Sequence, residues 1–113
     1  TDLLPALFAG NAAVLRPDVQ APFTALWAAR LLREAGLPEG VLQVVTGRGS
    51  VLGPALAAEA DYLMFTGSTR TGKLVAGMAA ERLIGCSLEL GGKNSMLLRD
   101  DAPLEKAADG LIR

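Results

Sequence analysis

The chain has 113 residues, half of them apolar, 20% charged, with a formal net charge of −1. That suits one domain with a packed core, and the near balance of charge excludes a general nucleic-acid or membrane-surface binder. There is no His and a single cysteine, Cys86, which excludes Ser-His-Asp and Cys-His catalysis, His-ligated metal sites and internal disulfides within these residues.

No apolar run approaches the ~18 residues of a membrane span, because Pro5, Gly10, Asn11 and Arg16 break the first one. A lone cysteine fits a reducing cytoplasm, which is the expected location. Residue 1 is Thr, with no charged leader ahead of it, and Glu105 to Arg113 reads as a helix stopped in mid-course. The sequence is expected to be a piece of a longer protein, truncated at both ends.

In chain order, Asn11 to Leu15 is a short apolar run ending at Arg16-Pro17. Pro22 opens a helix whose Phe23, Leu26, Trp27 and Leu31 recur on one face, and Gly36 and Pro38 stop it. Val41 to Thr46 is the next strand, closed by Gly47 and Gly49, and an Ala- and Leu-rich helix follows to about Ala60. Tyr62 to Phe65 is a third strand; Thr66-Gly67-Ser68 turns it into a helix with Leu74, Val75, Met78 and Ala79 on one face. Ser87 to Leu90 is a fourth strand ending in Gly91-Gly92, and Ser95 to Leu98 a fifth. Asp100 or Asp101 is expected to cap the last helix, with Pro103 in its first turn. Strand and helix alternate at the spacing of βαβ units, so the fold class is α/β with a largely parallel sheet.

Open α/β sheets bind ligands beyond the carboxyl ends of their strands. Four such ends carry unusual residues: Arg16, Gly47-Arg48-Gly49, Thr66-Gly67-Ser68 and Glu89. If the strands are parallel, all four face one edge. The turn from Gly47 to Gly53 resembles a dinucleotide fingerprint with one residue inserted, yet any tight strand-to-helix turn would use such glycines, and the expected ribose-binding acid is missing. The turn from Thr66 to Lys73 offers more: Gly67 permits close backbone approach, Ser68 can cap the helix or meet a phosphate, and the helix start supplies free N–H groups. Gly72, inside that helix, costs ~1 kcal/mol relative to Ala and wants a reason, such as close approach of a ligand or a neighbouring helix. Glu89 can act as a general base if burial raises its pKa; a salt bridge or a cap is the plainer alternative. Cys86 lies an odd number of residues before Glu89, which puts the two on opposite faces of one strand and marks Cys86 as a small buried hydrophobe.

Taken in order, these strand-end motifs resemble the aldehyde dehydrogenase superfamily. The stretches that carry the likeness run from Ala9 to Pro17, Glu34 to Val41, Val45 to Gly49, Phe65 to Thr69 and Leu88 to Lys93. Succinate-semialdehyde dehydrogenases are the nearest in look, on Asp61 to Phe65, Leu83 to Glu89 and Gly92-Lys93-Asn94. The resemblance implies a Rossmann-like domain with a parallel twisted sheet and flanking helices, here residues 1–113 as part of an NAD(P)-binding domain. It implies oxidation of an aldehyde to an acid through a cysteine thioester, with NADP or NAD as acceptor. Glu89 would be the base that activates the hydrolytic water, and Leu90 would offer a backbone carbonyl near the nicotinamide. Thr66 would lie by the nicotinamide or its ribose, Gly67 and Ser68 by the pyrophosphate, and Gly49 with the region of Thr71 and Gly72 toward the adenine end. The family's nucleophilic cysteine and oxyanion asparagine fall outside these residues, so the isolated piece would be inactive.

One departure bears on the cofactor. Where the family commonly has Lys-Pro-Ser-Glu, this chain has Arg16-Pro17-Asp18-Val19. Val19 removes a charge that opposes a 2′-phosphate, and Arg16 adds a planar donor suited to one, so NADP is expected to be accepted well unless Asp18 swings into the ribose site. The partners implied are a small aldehyde and, by likeness, a homo-oligomer, with no nucleic acid or membrane. Two other readings compete: a non-catalytic nucleotide-binding or structural protein on the same fold, and a free-standing dinucleotide module centred on the Gly47 turn.

Overall fold

A computed structural model describes residues 2–112, with the side chains of residues 111 and 112 left aside. The order is α1 (Leu3–Phe8), β1 (Ala13–Leu15), α2 (Pro22–Glu34), β2 (Leu42–Val44), α3 (Gly49–Glu59), β3 (Tyr62–Gly67), α4 (Thr69–Glu81), β4 (Gly85–Leu90) and α5 (Leu104–Ile112). Alternating strands and helices give the α/β class read from the sequence. No helix among the described residues is long and apolar enough to cross a membrane.

Among the described residues all the pairing is parallel, but it falls into two two-stranded ladders. β1 pairs with β2, from Ala13 opposite Leu42 to Leu15 opposite Val44. β3 pairs with β4, from Tyr62 opposite Gly85 to Gly67 opposite Leu90. α2 packs on β2, α4 packs on both β3 and β4, and α3 packs on α4.

The helices turn a different face inward from the one the apolar periodicity suggests. On α2, Phe23 is 81% and Trp27 62% exposed, with Leu26 and Leu31 also exposed, whereas Ala29 is 2% exposed. The inward line is Pro22, Ala25, Ala29 and Leu32, and small side chains there let the helix approach closely. On α4, Val75, Met78 and Ala79 turn inward as expected, while Leu74 is exposed.

Two expectations at the carboxyl end fail. Residues 95–98 form no strand, and Met96, Leu97 and Leu98 are exposed. An apolar run becomes a strand only where a neighbour accepts its ladder hydrogen bonds, and among the described residues none does. The last helix starts at Leu104, directly after Pro103, so neither Asp100 nor Asp101 is its cap. Asp101 instead receives the Arg99 guanidinium at 3.1 Å.

Candidate cofactor site

Two clusters form at the carboxyl ends of the strands. In the first, Arg16 leaves the end of β1 and its Nε donates to the Gly47 carbonyl oxygen at 3.1 Å. The guanidinium then lies over the start of α3, where a methyl on Gly49 would sit 3.2 Å from its central carbon. Glycine at position 49 is what lets the cation lie flat on the turn. Among the described residues the two Nη groups have no acceptor, so their donors are available to a ligand. Asp18 is occupied locally: its Oδ1 accepts from the Gln20 N–H at 2.8 Å. The carboxylate thus closes a short local turn.

The second cluster is set by the β3–β4 register. Thr66 stands opposite Glu89 and Gly67 opposite Leu90. Partners in a parallel ladder point to the same face about 4.8 Å apart, so the Thr66 hydroxyl and the Glu89 carboxylate share one exposed face. Ser68 is the N-cap of α4: the Thr71 N–H donates to its Oγ at 3.3 Å, and the Ser68 hydroxyl is 3.1 Å from the Thr71 hydroxyl. The first amides of α4 keep the unpartnered donors of any helix start.

Gly67 has φ +158, and a Cβ there would come within 2.6 Å of the tip of the Phe65 ring. Gly72 is buried, and a Cβ there would meet Leu90 Cδ2 at 2.6 Å. A close neighbour of this helix glycine is therefore the Leu90 side chain, on a strand and not on a helix. The Leu90 side chain packs α4 against the end of β4.

Glu89 corrects one expectation. Its side chain is exposed, so the burial that was to raise its basicity is not provided by these residues. Cys86 is half-buried on β4 and unpaired. Sequence reasoning missed Arg82, which closes α4 and donates from Nη1 to the Ala57 carbonyl of α3 at 2.8 Å and also to that of Ala60. Backbone carbonyl acceptors have no residue signature, so nothing in the sequence points to that bond.

The profile of the Aldehyde dehydrogenase family matches residues 1–113. The chain belongs to the aldehyde dehydrogenase family. Over all 113 residues it is 52% identical to a Mycolicibacterium smegmatis protein named "Putative succinate-semialdehyde dehydrogenase [NADP(+)]", covering 22% of that protein. It superposes on a solved Escherichia coli structure described as an NADP-dependent enzyme with TM-score 0.84 and 43% identity, covering 96% of this chain and 23% of that one. A Mycobacterium tuberculosis aldehyde dehydrogenase complexed with NAD+ aligns with TM-score 0.75 and 48% identity, over 80% of this chain and 19% of that one. The chain thus spans about a fifth of the length of the curated relatives it matches.

Proposed function

We propose that these residues bind a nicotinamide dinucleotide and supply the general base of an NAD(P)-dependent aldehyde dehydrogenase that forms a carboxylic acid, with succinate semialdehyde as substrate. The observation that carries the reading is the register of β3 and β4, which sets Glu89 beside Thr66 at the edge where α4 begins. The 52% identity to proteins named for succinate semialdehyde and NADP(+) supports the substrate and the cofactor.

The donor set suits such a cofactor. Ser68, Gly67 and the first amides of α4 form an electropositive start for a pyrophosphate. Thr66 would stand by the nicotinamide end with the Leu90 carbonyl, and Gly49, Thr71 and Gly72 toward the adenosine. When bound, the cofactor supplies the hydride acceptor. The two free Nη groups of Arg16 match a ribose 2′-phosphate, and Val19 brings no charge to oppose it. NADP is accordingly the favoured cofactor, with NAD also accepted. Glu89 takes a proton from the water that hydrolyses the acyl thioester, a task that needs its carboxylate within hydrogen-bond reach of that water.

The test uses the full-length polypeptide that carries residues 1–113. Aldehyde-dependent reduction of NADP and NAD is measured with succinate semialdehyde and a panel of other aldehydes. Glu89→Gln is expected to lower turnover by about 100-fold or more while cofactor affinity stays within about twofold. A protein that reduces neither cofactor with any aldehyde overturns the reading. Turnover of other aldehydes but not succinate semialdehyde removes the substrate alone.

A further inference from the structure

Among the described residues, no ladder joins the β1–β2 pair to the β3–β4 pair. The Arg16–Gly49 cluster belongs to the first pair and the Thr66–Glu89 cluster to the second, so their separation is set by whatever fixes α3 against α4. The two helices pack on each other. The hydrogen bonds that cross between residues 2–60 and residues 61–112 all come from one side chain, that of Arg82.

The acceptors are well placed for a cation. Ala57 lies in the last turn of α3 and Ala60 is its C-cap. Their carbonyls carry the negative end of the helix dipole and have lone pairs that the helix cannot use. Ala60 has an extended backbone, with ψ 149, so α3 ends without a glycine turn to satisfy these groups from its own chain. Arg82 supplies what is missing and at the same time ties the far end of α3 to the far end of α4. The opposite ends of those two helices are the ones that carry Gly49 on one and Ser68 and Thr71 on the other.

We propose that Arg82 is a positioning residue for the dinucleotide: by closing the carboxyl end of α3 it fixes the distance between the Arg16–Gly49 turn and the Ser68 turn, which hold the two ends of one cofactor. The inference rests on the cofactor reading above. It assigns Arg82 no contact with cofactor or substrate. Losing the clasp leaves each turn intact but lets α3 shift on α4, so the cost falls on binding a ligand that spans both turns and not on the chemistry at Glu89.

The experiment is cofactor kinetics on the full-length polypeptide with Arg82→Met, Arg82→Gln and Arg82→Lys. Arg82→Met should raise the KM for NADP by about tenfold, as loss of charged hydrogen bonds would, with kcat at saturating NADP within about twofold and the aldehyde KM unchanged. Lysine retains the cation, so Arg82→Lys should recover most of the loss. Arg82→Gln carries the same comparison if the methionine variant does not fold. An unchanged KM for NADP in both neutral variants overturns the proposal, as does a joint fall of kcat and KM that lysine does not rescue. A wild-type protein that uses neither cofactor overturns the functional reading itself, a result distinct from active wild type with indifferent Arg82 variants.

Discussion

The chain builds its strand-to-helix turn twice, and the two copies are finished differently. Thr46-Gly47-Arg48 leads into α3 and Thr66-Gly67-Ser68 into α4, with the same extended backbone at the cap, φ −67 and ψ 131 for Arg48 against φ −71 and ψ 146 for Ser68. Arg48 makes no capping bond, and the first turn is held from outside by Arg16 on the Gly47 carbonyl. Ser68 caps its own helix, and its turn is packed from inside by Phe65 and Leu90. Similar backbone geometry can thus carry an imported cation in one place and open helical donors in the other, a division that suits a ligand with unlike ends.

The strongest way to break this comparison is to add a side chain at each glycine. In Gly67→Val the new Cβ runs into the stiff Phe65 ring at 2.6 Å, and the backbone at φ +158 disfavours any L residue. Stability should fall by about 2–3 kcal/mol, and cofactor affinity by more than about tenfold. Gly47→Val, at φ +154, meets only the flexible Leu52 side chain, Cδ1 at 2.9 Å and Cγ at 3.4 Å, which a change of rotamer relieves. Its cost should be about 1–2 kcal/mol, with a smaller loss of affinity. Chemical unfolding and cofactor titration of both variants decide the matter. Equal damage, or greater damage at Gly47, would show that the Gly47 turn is the principal phosphate site, as a dinucleotide module centred there requires.

A second pair of variants sharpens the contrast at the caps. Ser68→Ala removes the bond from the Thr71 amide and should cost about 1 kcal/mol. Arg48→Ser puts a capping hydroxyl onto a backbone already in cap geometry, and should stabilise by up to about 1 kcal/mol. Thermal unfolding reads both shifts, which have opposite signs. A loss of stability in Arg48→Ser would mean that the arginine side chain supports the first turn in a way its lack of a capping bond does not reveal.

How legible the chain was depends on the range of the forces involved. Ser68 as a cap, Gly36 as a helix stop and the strand ends bearing Arg16, Thr66 and Glu89 were all readable, because each is decided within a few residues. The inward face of α2 was not. Period 3.6 tells that Phe23, Leu26, Trp27 and Leu31 share a side, but which side meets β2 depends on close approach, and Ala29 wins it. Gly72 announced that something had to lie near it, yet only the β3–β4 register shows that the neighbour is Leu90. Ser95 to Leu98 had the composition of a strand without a partner strand to realise it. Arg82 was invisible because its acceptors are peptide carbonyls on another helix.

The smallest test concerns the other ends of the helices, where the same contrast returns. α2 and α4 both finish in a paired-bond turn. Gly36 and Leu37 donate to the carbonyls of Arg33 and Leu32 at 3.0 and 2.9 Å, and Leu83 and Ile84 to those of Ala80 and Ala79, both at 3.1 Å. The residue that swings left-handed is glycine in the first, at φ +100, and leucine in the second, at φ +55. A leucine there carries a strain of about 1–2 kcal/mol, part of which a glycine would forfeit through the freedom it adds to the unfolded chain. Leu83 is 94% exposed among the described residues, so little packing offsets the strain. Leu83→Gly should therefore stabilise by about 0.5–1 kcal/mol, seen as a small rise in unfolding midpoint. Destabilisation in the full-length polypeptide would show instead that the leucine is buried against a surface outside residues 2–112, and that its strain is retained because the contact outweighs it.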